Sequence, residues 1–135
     1  SGTLAVQSTT NSTSKTTGAL TVSGGVGINN DLHVGGDITA FSSSDQTLKT
    51  NVVGITSALY KVGLITGYTY TWNENASYEG DDTGVIAQEI EALGLPGITT
   101  TRPDDKKAVR YERLVPLLIE AIKELEARVK TLESS

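Results

Sequence analysis

The feature of this sequence that most constrains its fold is a heptad pattern close to its end. From Tyr111 onwards, apolar residues recur at alternating spacings of four and three residues, at Val115, Leu118, Ile122, Leu125, Val129 and Leu132. This spacing places the apolar side chains on one stripe of a helix and is typical of a coiled coil. Pro116 is compatible with a helix only near its start, so we predict a helix over about residues 112–133.

We call this stripe the seam; its members are Val115, Leu118, Ile122, Leu125, Val129 and Leu132. The seam could be covered in two ways. It could pack on the chain's own domain, or it could pack against the same helix in other copies of the chain. Because the sequence offers no later segment to fold back over the helix, we expect self-association.

Between residue 49 and the final helix, the sequence mixes helix and strand patterns, which indicates a small α+β domain. Thr56 is a plausible N-cap for the first helix, and Gly94 followed by Pro96 would end the second. The predicted segments are a strand at 51–55, a helix at 58–65, a strand at 67–72, a loop at 73–82, a helix at 84–93, and strands at 98–102 and 108–111.

Residues 1–43 have a different composition, rich in Ser, Thr and Gly and poor in charge. The stretch Leu20–Val26 recurs twelve residues later as Leu32–Ile38, and each copy alternates apolar and polar positions before a glycine turn. This pattern predicts short strands linked by tight turns, yet it has too little apolar mass to bury itself in one chain. We therefore predict a fibrous β-stalk in which several chains share a thin core. The alternative is a disordered Gly/Ser linker.

The overall composition excludes several classes of protein. A net charge of −5 and a pI near 4.8 argue against a nucleic-acid-binding surface. The chain has no cysteine, so disulfides and thiolate metal sites are excluded. No apolar run approaches the length that spans a membrane, and we expect no membrane partner.

The segment from Ser44 to Lys49 marks the change between these two compositions. A serine hydroxyl needs a base to become a nucleophile, and a lysine amine can serve when burial favours its neutral form. This pairing at a boundary between modules suggests a chain that cleaves itself there. The spacing alone is weak evidence for catalysis, because a serine in a turn five residues from a solvated lysine is common.

Several separated motifs resemble the peptidase S74 family, the C-terminal intramolecular chaperone domains of bacteriophage tail fibres and tailspikes. The resemblance covers about residues 41–133. In chain order, the residues that carry it are Ser43-Ser44-Asp45, Leu48-Lys49, Asn51, Tyr68, Trp72, Gly84-Val85-Ile86-Ala87-Gln88-Glu89-Ile90-Glu91, Tyr111, Leu114, Pro116-Leu117-Leu118 and Ala121-Ile122-Lys123-Glu124-Leu125.

The resemblance implies a homotrimer in which the domain of residues 44–135 aligns three chains so that the stalk of residues 1–43 folds. The domain would then release itself by autoproteolysis between Ser43 and Ser44, with Ser44 as the nucleophile and Lys49 as the base of a serine–lysine dyad. The upstream fibre segment is thus both folding client and substrate. The implied location is a virion tail fibre or spike, assembled in the bacterial host cytoplasm, with the domain released after cleavage.

Other candidate sites are weaker. His33 is the only histidine and has no serine or aspartate partner in the pattern. The acidic pairs Asp81-Asp82 and Asp104-Asp105 are typical of solvated turns, so we predict no metal site and no cofactor. Two rival functions remain open: a structural trimerisation cap that never cuts, and a receptor-binding fibre tip with exposed aromatic side chains.

Overall fold

The computed structural model describes residues 2–135, which divide into a unit ending at Asp45 and a unit from Gln46 to Ser135. In the first unit, the described residues 2–45 form neither helix nor strand, and nearly every side chain is exposed. The apolar members of the repeat, such as Leu20 and Leu32, are therefore uncovered in the single chain. A strand needs a hydrogen-bonded neighbour, and this unit supplies none to itself. The prediction of strands shared between chains stays a prediction.

The second unit is a small α+β domain, as predicted. Its elements in chain order are a 3-10 turn at Gln46–Leu48, helix α1 at Ala58–Gly63, strand β1 at Tyr68–Thr71, strand β2 at Asp81–Gly84, helix α2 at Ala87–Glu91, strand β3 at Thr99–Thr101, strand β4 at Lys107–Val109, a 3-10 turn at Tyr111–Leu114, and helix α3 at Val115–Glu133.

Helix α3 packs against α1, and this contact forms the main core of the domain. Ala58 of α1 and Leu117 of α3 are fully buried, and Ala121 lies one turn further along α3 at 5% exposure. The small alanines allow the two helices to approach closely around the leucine. Partly buried apolar residues from the surrounding segments close the cluster: Ile55, Leu59, Val62, Ile65, Leu93, Leu95 and Leu114.

The strands form two separate antiparallel hairpins. In the first, β1 pairs with β2 so that Tyr70 lies opposite Asp82. In the second, β3 pairs with β4 across the turn at residues 102–106, where Asp105 adopts a left-handed conformation. Ile90 of α2 and Ile98, just before β3, are buried, so α2 packs on this second hairpin.

The C-terminal helix, strand β1 and the second hairpin lie close to their predicted positions, with some corrections. The α-helical part of the last segment begins at Val115, and Pro116 occupies its first turn. The preceding residues form a 3-10 turn rather than α-helix. Helix α2 is shorter than predicted: Gly84 belongs to β2, and the helix runs only over Ala87–Glu91, before the left-handed Gly94.

Three predictions for the domain were wrong. Residues 51–55 form no strand, because no neighbouring strand pairs with them. Asp81 and Asp82 belong to β2 rather than to a loop. Helix α1 spans only Ala58–Gly63, and its N-cap residue is Ser57 rather than Thr56. No helix among the described residues is both long and apolar enough to cross a membrane.

Candidate functional site

The seam of α3 is uncovered in the single chain. Its six side chains retain between 44% and 73% of their exposure, with Val129 the least exposed and Leu132 the most. Apolar side chains scattered over a surface are ordinary, but a continuous stripe along one helix marks an interaction surface. The seam is therefore available to a partner.

The residues by which α3 docks on its own domain are different from the seam residues. Leu117 and Ala121 are buried against α1, whereas their neighbours Leu118 and Ile122 are exposed by 45% and 66%. At about 100° per residue, these two sets lie on adjacent faces of one helix. Docking in the chain and association between chains can therefore take place at the same time.

Ile119 adds to the exposed apolar surface of α3. It is 51% exposed and follows Leu118, so it lies beside the seam at the e position of the heptad. An apolar residue at this position widens the stripe beyond the two residues per heptad of a narrow coiled coil.

The remaining surface of α3 carries charged pairs exposed to solvent. Lys123 bonds Glu120 at 3.0 Å, and Lys130 bonds Glu126 at 2.9 Å in an i,i+4 arrangement. Such exposed pairs each contribute only a few tenths of a kcal/mol. They identify the side of the helix that faces water.

Glu124 behaves differently from these charges. Its two carboxylate oxygens accept the backbone N–H groups of Ala58, at 2.9 Å, and Leu59, at 2.8 Å. These hydrogen bonds hold the pKa of Glu124 below its ordinary value, and Arg128 and Lys61 lower it further, while partial burial opposes them. The carboxylate thus caps the start of α1 from a different helix.

The proposed nucleophile lies at the end of the first unit. Ser43 and Ser44 are exposed and lie in a segment with no regular secondary structure. An exposed peptide bond in such a segment is sterically open to attack.

The proposed base lies in the second unit. Lys49 follows the 3-10 turn Gln46–Leu48, and its backbone N–H closes that turn on the Gln46 carbonyl at 3.1 Å. Its side chain is exposed in the single chain. Next to it, Leu48, Val52 and Val53 are exposed by 72–81%, so an uncovered apolar segment surrounds the lysine in sequence.

The other residues considered for chemistry have structural roles in the fold. Asp81 accepts a hydrogen bond from the Thr71 hydroxyl at 2.6 Å, and Asp82 accepts one from Trp72 Nε1 at 3.1 Å. Asp104 accepts the Lys106 N–H inside the turn of the second hairpin. Within residues 2–135, no three potential ligands cluster in a way that could hold a metal ion.

Sequence reasoning missed the role of two residues. Glu124 is a charged residue of the heptad helix whose spacing gives no sign of a partner outside that helix, yet it bonds to α1. Tyr111 was read as the first residue of the heptad pattern, whereas it lies before α3 and its hydroxyl accepts the Val85 N–H at 3.1 Å. Both interactions join segments that are distant in sequence, so no local pattern reveals them.

Residues 44–99 match a family model described as peptidase S74, chaperone of endosialidase. The match begins at Ser44 and includes Lys49, α1, both strands of the first hairpin and α2.

The chain is also similar to curated phage proteins. It is 36% identical over 115 residues to the long tail fiber proteins Gp37 of Enterobacteria phage K3 and of Enterobacteria phage T2, a match that covers 78% of this chain. It is 32% identical over 124 residues to the long tail fiber protein Gp37 of Escherichia phage AR1. The chain spans only 8–11% of the length of these relatives.

Proposed function

Residues 44–99 match the peptidase S74 family, and on that premise we propose that this chain is a chaperone segment of a phage tail fibre. In this proposal, α3 brings three copies together, the upstream stalk folds between them, and the chain then cleaves itself between Ser43 and Ser44. Its location would be the virion tail fibre or spike, with assembly in the cytoplasm of the bacterial host and release of the domain after cleavage.

The observation that carries the proposal is the exposed seam beside a separate docking face. A helix used only for intramolecular packing would expose polar residues where α3 exposes the seam. Full burial of one Val, Leu or Ile side chain contributes about 1.5–3 kcal/mol, so the six seam residues hold a large unused driving force for association. A second and third copy of α3 would cover them.

Two observations bear on the number of chains. Val and Ile occupy the a positions of the seam and Leu the d positions, a pattern that by itself favours two strands in a parallel coiled coil. The apolar Ile119 widens the stripe, and the family supports three chains. We propose three, and the oligomeric mass decides between the two.

The folding client is the chain's own upstream segment. Its regularly spaced apolar residues are exposed by 45% or more in the single chain, as at Val22, Leu32 and Val34. Three such segments held side by side could pair as strands and bury these residues together. Association at α3 would keep the segments at high local concentration and in the same register.

Cleavage would proceed through an ester. Lys49, as the neutral amine, accepts the proton of the Ser44 hydroxyl as the oxygen attacks the Ser43 carbonyl carbon. The peptide C–N bond breaks, the Ser44 nitrogen takes up a proton, and the Ser43 acyl group remains on the Ser44 oxygen. Water then hydrolyses this ester, leaving a Ser43 carboxylate and a new N-terminus at Ser44. Because the hydroxyl lies one residue from its target, no separate binding step is needed.

Assembly would switch this reaction on. A lysine amine is neutral at physiological pH only when it is desolvated, and Lys49 is exposed in the single chain. The exposed Leu48, Val52 and Val53 are apolar and would be covered together with it when other copies pack against this segment. Cleavage would therefore report correct assembly.

The test is mass spectrometry of the purified chain after incubation, compared with Ser44→Ala and Lys49→Ala. We expect the unchanged chain to yield a fragment of residues 44–135, and both variants to remain intact. Ser42→Ala and Lys106→Ala are matched controls, since each removes an exposed side chain of the same type, and both should cleave normally.

Two results would count against the proposal in different ways. A fragment that begins at Ser44 in Lys49→Ala would exclude the serine–lysine dyad. If the unchanged chain associates but stays intact, it would be a structural trimerisation cap without peptidase activity.

A further inference from the structure

Helix α1 lacks a cap of its own. Its N-cap residue, Ser57, adopts a left-handed conformation with φ 51° and makes no side-chain hydrogen bond to the helix. A non-glycine residue in this conformation is under local strain and persists only when its surroundings hold it. The start of α1 therefore depends on contacts from outside the helix.

Those contacts come from α3. The Glu124 carboxylate accepts the first two free N–H groups of α1, at Ala58 and Leu59, which would otherwise have no partner in the helix. Hydrogen bonds to a charged acceptor are roughly twice as strong as neutral ones. Isolated helices as short as α1 are marginal in water, so the docked α3 is what stabilises it.

Glu124 lies between two seam residues, Ile122 and Leu125, but points to the docking face. The charged groups that surround it are Arg128 on α3 and Lys61 on α1, and both favour the ionised carboxylate. The contacts with α1 require that α3 is formed. Association along the seam stabilises the formed α3, so by linkage it must also stabilise those contacts.

We infer that Glu124 is the positioning residue through which association of the α3 helices orders α1 and the segment that leads into it from Lys49. This inference rests on the proposed function, because it takes the seam as the surface of association. Within the second unit, this inference explains how association could control cleavage. Association along the seam holds α3 in place, and Glu124 of α3 then caps α1. The capped α1 fixes the C-terminal end of residues 49–57.

The test uses hydrogen exchange of the α1 amides, measured by mass spectrometry in the uncut Ser44→Ala chain below and above its association midpoint. Protection of α1 should rise about tenfold or more on association. In a Glu124→Gln chain the side-chain amide offers only one acceptor oxygen to the two N–H groups. The protection of α1 in this variant should therefore rise about threefold or less on association. With Ser44 restored, the same substitution should slow cleavage about tenfold even when association is complete.

Glu126→Gln is the matched control. It removes the same charge from the same helix, but Glu126 bonds Lys130 on the exposed face and not α1. This variant should keep the exchange and the cleavage of the unchanged chain.

The outcomes separate this inference from the proposed function. If Glu124→Gln associates and its α1 is protected as in the unchanged chain, the coupling is wrong and the proposed function stands. If the unchanged chain stays monomeric at every concentration, both are wrong. If Glu124→Gln does not fold, the test rests on the Ser44→Ala chain alone. In that chain, α1 protection that stays constant as the protein associates would overturn the coupling.

Discussion

Gly84 is a position where the lack of a side chain determines how two segments meet. The Tyr111 hydroxyl packs directly on it and accepts the N–H of the next residue, Val85, while the Tyr70 hydroxyl lies close by. A Cβ atom at Gly84 would collide with the Tyr111 hydroxyl. The glycine thus ties the first hairpin to the turn that begins the C-terminal segment.

We predict that Gly84→Ala lowers the free energy of unfolding by about 1–3 kcal/mol, because the tyrosine must move out of a filled position. Urea unfolding of the variant measures this loss. Gly67→Ala is the matched control, since nothing lies within 4 Å of its Cβ position and its backbone is not left-handed. A Gly84→Ala chain as stable as the control would show that the contact is unimportant.

Glu124 makes stability depend on pH in a definite direction. The hydrogen bonds from Leu59 and Ala58 lower its pKa in the folded chain below the ordinary value of 4.5. A carboxyl whose pKa is lowered by folding stabilises the fold above its unfolded-state pKa and loses this contribution as the pH falls through the folded value. The loss should therefore occur below about pH 4.5, and not near neutrality.

We predict that the melting temperature of the unchanged chain falls more steeply below this pH than that of Glu124→Gln. The pKa of Glu112 is also lowered, by a hydrogen bond to its own backbone N–H and by Arg110, but this residue is common to both proteins and cancels in the comparison. Parallel curves for the two proteins would contradict the role of the Glu124 carboxylate.

At the scale of the elements, α3 carries two adjacent apolar faces, one buried against α1 and one exposed. Leu117 belongs to the docking face and is fully buried, whereas Ile122 belongs to the seam and is 66% exposed. Substitutions on the two faces should therefore affect different properties of the protein.

We predict that Leu117→Ala lowers the free energy of unfolding of the domain by about 2–5 kcal/mol, since it opens a cavity against α1. Ile122→Asp should abolish association while leaving the single domain folded, because a charge cannot be buried without a partner. Sedimentation and chemical unfolding measure the two effects. Ala127→Asp, on the exposed face of the same helix, is the control and should change neither. Association that persists in Ile122→Asp would exclude the seam.

The elements differ in how far the sequence could predict them. Strand β1 was predictable because its aromatic and β-branched residues alternate, and α3 because its heptads are regular. Strand β2 was not, since Asp81 and Asp82 disfavour strands and are held by pairing with β1 and by bonds to Thr71 and Trp72. Residues 51–55 are the reverse case: their β-branched residues favour a strand, but no neighbour pairs with them.

The candidate site, too, could be predicted only in part from the sequence. The seam could be read from spacing alone, whereas its exposure beside a separate docking face required the packed structure. The assignment of Ser44 and Lys49 stays a prediction that rests on the resemblance, since a serine and a lysine five residues apart carry little information by themselves. The Glu124 cap joins positions 66 residues apart in the chain, which no periodicity reveals.

At the scale of the whole molecule, one chain leaves much of its apolar surface uncovered. The seam, the segment around Lys49 and the repeat of the first unit are all exposed. Soluble monomers rarely leave an apolar patch as long as the seam in contact with water. In the proposed function, association of identical chains covers all three regions and precedes both the folding of the stalk and cleavage.

The most direct test of this account is the mass of the uncut Ser44→Ala chain in solution, measured by sedimentation equilibrium over a range of concentrations. We predict a species of three times the 14.2 kDa chain mass, which Ile122→Asp converts to the single chain. A mass of 14.2 kDa at every concentration would contradict the account, because the seam would then have no partner.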